Sequence, residues 1–107
     1  MKLNLVYMTA GSVEEARNIG KELVSRRLAA CVNIIDHMNS FYWWEGALQD
    51  DREVVIIAKT REDLVPVLTE RVKSLHSYEC PCVVSLPILD GNPAFLEWIA
   101  QETGQGR

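Results

Sequence analysis

The sequence predicts an α+β fold in which the elements run β-α-β-β-α-β and a further helix closes the chain. Three observations predict it. Runs rich in β-branched and aromatic residues occupy positions 3–9, 28–44, 47–60 and 82–89. Between the first and second runs, and between the third and fourth, apolar residues recur at helical spacing. The two middle runs are separated by nothing more than Glu45-Gly46, a reversal signal, so they form one long hairpin.

Each element has its own local warrant. Positions 3–9 alternate and carry Val6 and Tyr7, and Gly11-Ser12 ends the strand. Ser12 with Glu15 three residues later is a capping-box pattern, each side chain satisfying a free backbone N–H at a helix start. Val13, Ala16, Ile19, Leu23 and Val24 then make an apolar stripe. The helix should end at Arg26-Arg27, where cations complement the helix dipole. In the second strand the polar stretch Asp36-His37-Met38-Asn39 predicts a bend or bulge. The third is strongest at Val54-Val55-Ile56-Ile57. Pro66 fits only near a first turn, so the second helix should start between Thr60 and Asp63. Its stripe is Leu64, Val67 or Leu68, Val72 and Leu75. Pro87 makes the fourth strand an edge strand or a bulged one. Asp90-Gly91 turns the chain, Asn92 caps the last helix, and Pro93 takes its first position. Phe95, Leu96, Trp98 and Ile99 supply that helix's apolar side, and residues 103–107 should fray. The order is the split βαβ pattern, a ferredoxin-like sandwich in one domain spanning residues 1–107, with both crossover helices on one face of the sheet.

Composition narrows the function. A chain of 107 residues buries roughly two thirds of the surface its unfolded form exposes, enough for one core. The net charge of −4 and the absence of any basic cluster argue against nucleic acid as a partner. No segment approaches the ~20 apolar residues that span a bilayer, and residues 1–5 do not read as a signal peptide. Cys31, Cys80 and Cys82 are odd in number, so reduced thiols in the cytoplasm are expected.

With both helices on one face, the other face of a solitary sheet should be polar at every second position. It is not. Val54 to Ile57 supply large apolar groups to both faces, as do Ile34-Ile35 and then Phe41-Tyr42-Trp43-Trp44. Leaving such side chains in water forfeits roughly 2 kcal/mol each. Self-association is therefore expected, unless the terminal helix folds across the surface.

Several segments resemble one family. Phe41-Tyr42-Trp43-Trp44-Glu45-Gly46, Asp51-Arg52-Glu53 and Lys59-Thr60 are similar to the long hairpin of the CutA divalent-cation-tolerance family. Ala29-Ala30-Cys31-Val32-Asn33, the segment from Leu75 to Pro81, and Phe95-Leu96-Glu97-Trp98-Ile99 resemble its other motifs, in order. The resemblance covers about residues 3 to 100. It implies a homotrimer with interlocking hairpins, similar in architecture to the PII signalling proteins, and a link to tolerance of divalent cations, copper above all. Two departures bear on metal. The family's first-strand Cys and an additional His before the matched one fall here on Met8 and Leu75, so His76 alone carries over.

Read from spacing, His76, Cys80 and Cys82 are the one metal-like cluster, H-x3-C-x-C. On an extended strand residues 80 and 82 face the same way, and thiolate with imidazole suits Cu(I) or Zn(II). The competing reading is that free Cys behaves as a small hydrophobe. A second set, Glu53, Lys59, Tyr78 and Glu79 with Trp44, would form an inter-subunit ligand cleft or an ordinary interface salt bridge. Glu53 and Lys59 lie roughly 20 Å apart on one strand and cannot pair within it. His37 should be solvated and Cys31 should lie in the core. Gly11 stands alone, so there is no phosphate loop, and two histidines support no catalytic triad; no enzymatic activity is expected. The expected function is a thermostable, cytoplasmic, homotrimeric copper or divalent-cation binder that needs no cofactor to fold. Its rival is a PII-like sensor or scaffold binding a small anionic ligand between subunits.

Overall fold

The computed structural model describes residues 2–104. Four strands form one antiparallel sheet: β1 (Leu3–Ala10), β2 (Cys31–Trp44), β3 (Ala47–Arg61) and β4 (Val83–Pro87), in the order β2-β3-β1-β4. Helices α1 (Val13–Ser25) and α2 (Val65–Leu75) connect β1 to β2 and β3 to β4, and α3 (Pro93–Gln101) closes the chain. No described helix is long and apolar enough to cross a membrane.

The period of two in each strand sorts its residues. Val6, Met8 and Ala10 of β1 and Val54, Ile56 and Ala58 of β3 pack in one core with Ala16, Ile19 and Leu23 of α1 and Leu68 and Val72 of α2. The α1 stripe is narrower than expected. Val13 and Val24 lie on its flank and are exposed, and Gly20 takes a buried place instead, where a side chain's Cβ would come within 3.0 Å of Val32. In α2, Leu68 is buried and Val67 exposed. The chain first makes a 3-10 turn at Glu62–Leu64, so α2 starts at Val65, later than expected, with Pro66 still in its first turn.

The opposite face of the sheet stays largely uncovered. Leu5 and Tyr7 are half-buried there, while Ile35, Val84 and Leu86 are each 53% exposed. Helix α3 covers only the end around Leu3 and Ala30, where Ile99 is buried with Leu96 and Ile88 beside it. Phe95 and Trp98 are partly exposed, contrary to their expected place on the apolar side. At the start of this helix Asn92 caps as expected, its Oδ1 accepting from the Ala94 N–H at 3.1 Å. The chain end expected to fray is tied at Thr103 and Gly104: Thr103 is buried and donates to the Ile99 carbonyl, and the Gly104 N–H donates to Arg27. Residues 105–107 lie outside the described residues.

Two features shape the long hairpin. Its tip is a two-residue turn with Glu45 and Gly46 both at positive φ, 49° and 78°, and Trp44 pairs with Ala47 across it. A register shift between Ile35 and Met38, with His37 at φ 66°, is the expected bulge, and His37 is exposed. Strand β4 is shorter than expected. It starts after Cys82 and ends at Pro87, an edge strand as anticipated, Pro87 having no N–H to continue a ladder.

Candidate functional site

Beyond the bulge, pairing of Met38 with Glu53, Ser40 with Asp51 and Tyr42 with Gln49 sets one side of the hairpin. By the same alternation Met38, Ser40, Tyr42 and Trp44 share that side with Glu53 and Asp51. Tyr7 lies on it too, its hydroxyl donating to the Met38 sulfur at 3.3 Å. The segment between α2 and β4 closes the other wall. A groove of about 650 Å³ results, with Tyr7, Tyr42, Trp44, Asp51, Glu53 and Tyr78 among the groups that line it, together with Glu79, Cys80 and Cys82.

That connecting segment has no regular structure and is held by side chains. The buried ring of His76 places Nε2 2.7 Å from the Thr9 carbonyl, and Nδ1 accepts from the Tyr78 N–H at 3.0 Å. A carbonyl only accepts and an N–H only donates, so the neutral Nε2–H tautomer satisfies both. Glu15 binds the same segment, Oε2 accepting from the Ser77 N–H at 2.8 Å and Oε1 from the Gly11 N–H at 3.4 Å. The expected capping box is thus half formed. Ser12 accepts from the Glu15 N–H, and the Glu15 carboxylate reaches Gly11 and Ser77 instead of closing back on Ser12.

Phenols face carboxylates across the groove. Tyr78 donates to Glu53 Oε2 at 2.9 Å and Tyr42 to Asp51 Oδ2 at 2.6 Å. Burial and then the bond to Glu53 push the Tyr78 phenol well above its usual pKa. The bond to Asp51 pushes Tyr42 up to about 12. Both hydroxyls are therefore donors at neutral pH. Burial first, then Glu53, raises the Cys82 thiol above its ordinary pKa.

These contacts revise the metal-ligand expectation. Among the described residues no three His, Cys, Asp or Glu side chains converge on one point. His76 has both ring nitrogens occupied and does not line the groove, whereas Cys80 and Cys82 do. The H-x3-C-x-C spacing therefore yields two thiols in the groove and a structural histidine behind it. Met8 is fully buried in the core and Leu75 packs against it.

The cleft set is brought together with one exception. Trp44, Glu53, Tyr78 and Glu79 line the groove. Lys59 does not; six residues along β3, its Nζ lies 2.6 Å from Asn33 Oδ1 and 3.5 Å from Cys31 Sγ. Cys31 is accordingly half-buried beside Lys59 on the sheet's open face and is not a core residue. Sequence reasoning missed Tyr7, Tyr42 and Asp51 as groove residues. The signal for Asp51 and Tyr42 was their parity with Glu53 and Trp44, legible once the bulge is placed.

Residues 4–102 match the family described as CutA1 divalent ion tolerance protein. The chain belongs to the CutA1 family. The divalent-cation tolerance protein CutA of Thermus thermophilus is 46% identical over 94% of this chain and 97% of its own length. The chloroplastic CutA 1 of Oryza sativa is 46% identical over 92% of this chain, which spans 56% of that protein. The crystal structure of CutA1 from Oryza sativa superposes with a TM-score of 0.95 at 42% identity, covering 99% of this chain and 97% of that one. A CutA1 chain from Thermus thermophilus superposes with a TM-score of 0.93 at 45% identity, covering 95% and 99% respectively. The ferredoxin-like fold read from the sequence is the fold of these CutA1 structures.

Proposed function

We propose that this CutA1 protein is a cytoplasmic homotrimer that binds divalent cations, copper among them, in its groove, contributes to divalent-cation tolerance, and catalyses no reaction. The carrying observation is the lining of the groove. Three carboxylates, Asp51, Glu53 and Glu79, and two thiols, Cys80 and Cys82, stand against one guanidinium, Arg52. The Arg52 guanidinium lies 3.5 Å from His37. A wall of that charge attracts cations and repels a small anion, which favours this reading over the anion-binding, PII-like alternative. Oxygen donors suit hard divalent ions, and thiolates add affinity for copper and zinc. Two thiols are too few to close a tetrahedral site, so the remaining ligands come from water or neighbouring subunits. The names borne by the Thermus thermophilus and Archaeoglobus fulgidus relatives, divalent-cation tolerance protein CutA, support the same reading. The apolar face left open by α3 supports the oligomer.

Calorimetric titration of Cu(II), Cu(I) and Zn(II) into the assembled protein under conditions matched to each ion tests it. Stoichiometric binding, weakened by Asp51→Asn and by the Cys80→Ser/Cys82→Ser double variant, is the expected result. Binding that is weak and indifferent to both changes overturns the proposal.

A further inference from the structure

Glu53 is 92% removed from solvent (8% relative exposure), and among the described residues no ammonium or guanidinium pairs with it. Its Oε2 receives the Tyr78 hydroxyl and its Oε1 receives no hydrogen bond. Oε1 is not among the sealed, unpartnered polar atoms, so it opens on the groove, where one neutral phenol meets half of the carboxylate and a guest can meet the rest. The groove it faces is far larger than an ion needs. At about 650 Å³ it falls within the range of small-molecule sites, roughly 300–1,000 Å³. Its lining also offers more than an ion uses. Tyr7, Phe41, Tyr42, Trp44 and Tyr78 contribute aromatic surface beside the carboxylates. Ring faces are electronegative, and rings grouped with carboxylates are the recognition chemistry of organic ammonium ions.

We infer that the groove is a binding site for a small organic ammonium ion, an alkylammonium whose charged head meets Glu53 and whose apolar body lies along Trp44 and Tyr42. Each part of the ligand has a counterpart. The head takes the Glu53 oxygen that Tyr78 leaves, with Asp51 close by on the neighbouring strand position of the same side. The body takes aromatic surface that no other described side chain covers: Trp44 is 41% and Tyr42 37% exposed. The phenols act as positioning groups. By donating to Oε2 of Glu53 and Oδ2 of Asp51 they fix which oxygens remain for the guest. This site shares its carboxylates with the proposed metal site, but does not require that any metal bind.

The probes are n-butylammonium and tetramethylammonium, titrated calorimetrically into the metal-free assembled protein, with 1-butanol as the uncharged comparison. Both ammonium ions should bind saturably and butanol should not. Glu53→Gln should weaken butylammonium binding by about tenfold or more, since a charge-assisted contact is lost. Trp44→Leu, an exposed position whose change spares the core, should weaken it by about fivefold, the scale of one cation–ring contact. Equal binding of butanol, or ammonium binding unaffected by both variants, overturns the inference. A Zn(II) titration separates the two readings. Zinc binding without ammonium binding removes the ammonium site and leaves the metal reading intact; the reverse removes the metal reading alone.

Discussion

His76 joins the end of α2 to the first strand through Thr9 and orders Tyr78 through its second nitrogen, so its removal should act on stability before it acts on binding. His76→Ala should cost about 2–4 kcal/mol, from a buried cavity and two lost hydrogen bonds. Chemical denaturation measures that cost, and the number of metal ions bound by the folded variant should be unchanged; a loss of one ion per subunit at unaltered stability would restore the ligand role. Glu15 supports a second prediction. Burial opposes its ionisation, but the hydrogen bonds from Ser77 and the Gly11 N–H outweigh it, so its carboxyl titrates below the usual range. A depressed folded pKa stabilises the fold above the unfolded value, about pH 4.3, and that stabilisation disappears as pH falls through the folded pKa. The gap in stability between wild type and Glu15→Gln should thus be on the order of 1 kcal/mol at pH 7 and shrink steadily as pH falls below the unfolded value of about 4.3, as thermal melts across the acid range would show. A ligand histidine and a hydrogen-bonded core histidine look alike in sequence. That is why the role of His76 is not legible, and why spacing groups Cys80 and Cys82 with it and sets Tyr78 and Glu79 apart, although all four lie on one segment and line one groove.

The hairpin turn holds two residues in the left-handed region, and only one of them is glycine. Glu45 at φ 49° bears a side-chain penalty of about 1 kcal/mol that Asn tolerates better, Asn-Gly being the preferred pair for this turn. Glu45→Asn should raise stability by about 0.5–1 kcal/mol, and Gly46→Ala should lower it by at least as much. Scanning calorimetry of the two variants should show melting points displaced in opposite directions; a shift of the same sign in both would contradict the turn assignment. The elements legible in the sequence are those whose cause is local. Ser12, Asn92 and Pro93 mark helix starts through groups they contact within three residues, and the strands announce themselves by composition. Where the deciding contact is remote, legibility fails. Whether Val24 or Gly20 faces the core depends on where Val32 of β2 lies, and the tying of Thr103 and Gly104 depends on Ile99 and Arg27. Tyr7 enters the groove only because β1 pairs with β3 fifty residues later in the chain.

Taken as a whole, the molecule has one face sealed by α1 and α2 and one left open. On the open face Ile35, Val84 and Leu86 come from the two edge strands β2 and β4, and the hairpin beyond them exposes Phe41, Trp43 and Leu48 at 70%, 73% and 61%. Helix α3 reaches only the Leu3 end, so no further element of the described chain covers the rest. Covering each half-exposed aliphatic side chain is worth roughly 1 kcal/mol, and several such groups in each subunit add up to a contact that survives dilution. Light scattering at low micromolar concentration should therefore return three times the 12.1 kDa subunit mass. Unfolding of such an assembly is coupled to dissociation, so its melting temperature should rise with protein concentration. Val84→Asp with Leu86→Asp places two charges on the exposed face without touching the core between sheet and helices. That variant should lower the mass toward the single subunit and abolish the concentration dependence. A wild-type protein that scatters as a 12.1 kDa particle, with a melting point indifferent to concentration, would show that the open face is tolerated in water and would remove the oligomer from the proposed function.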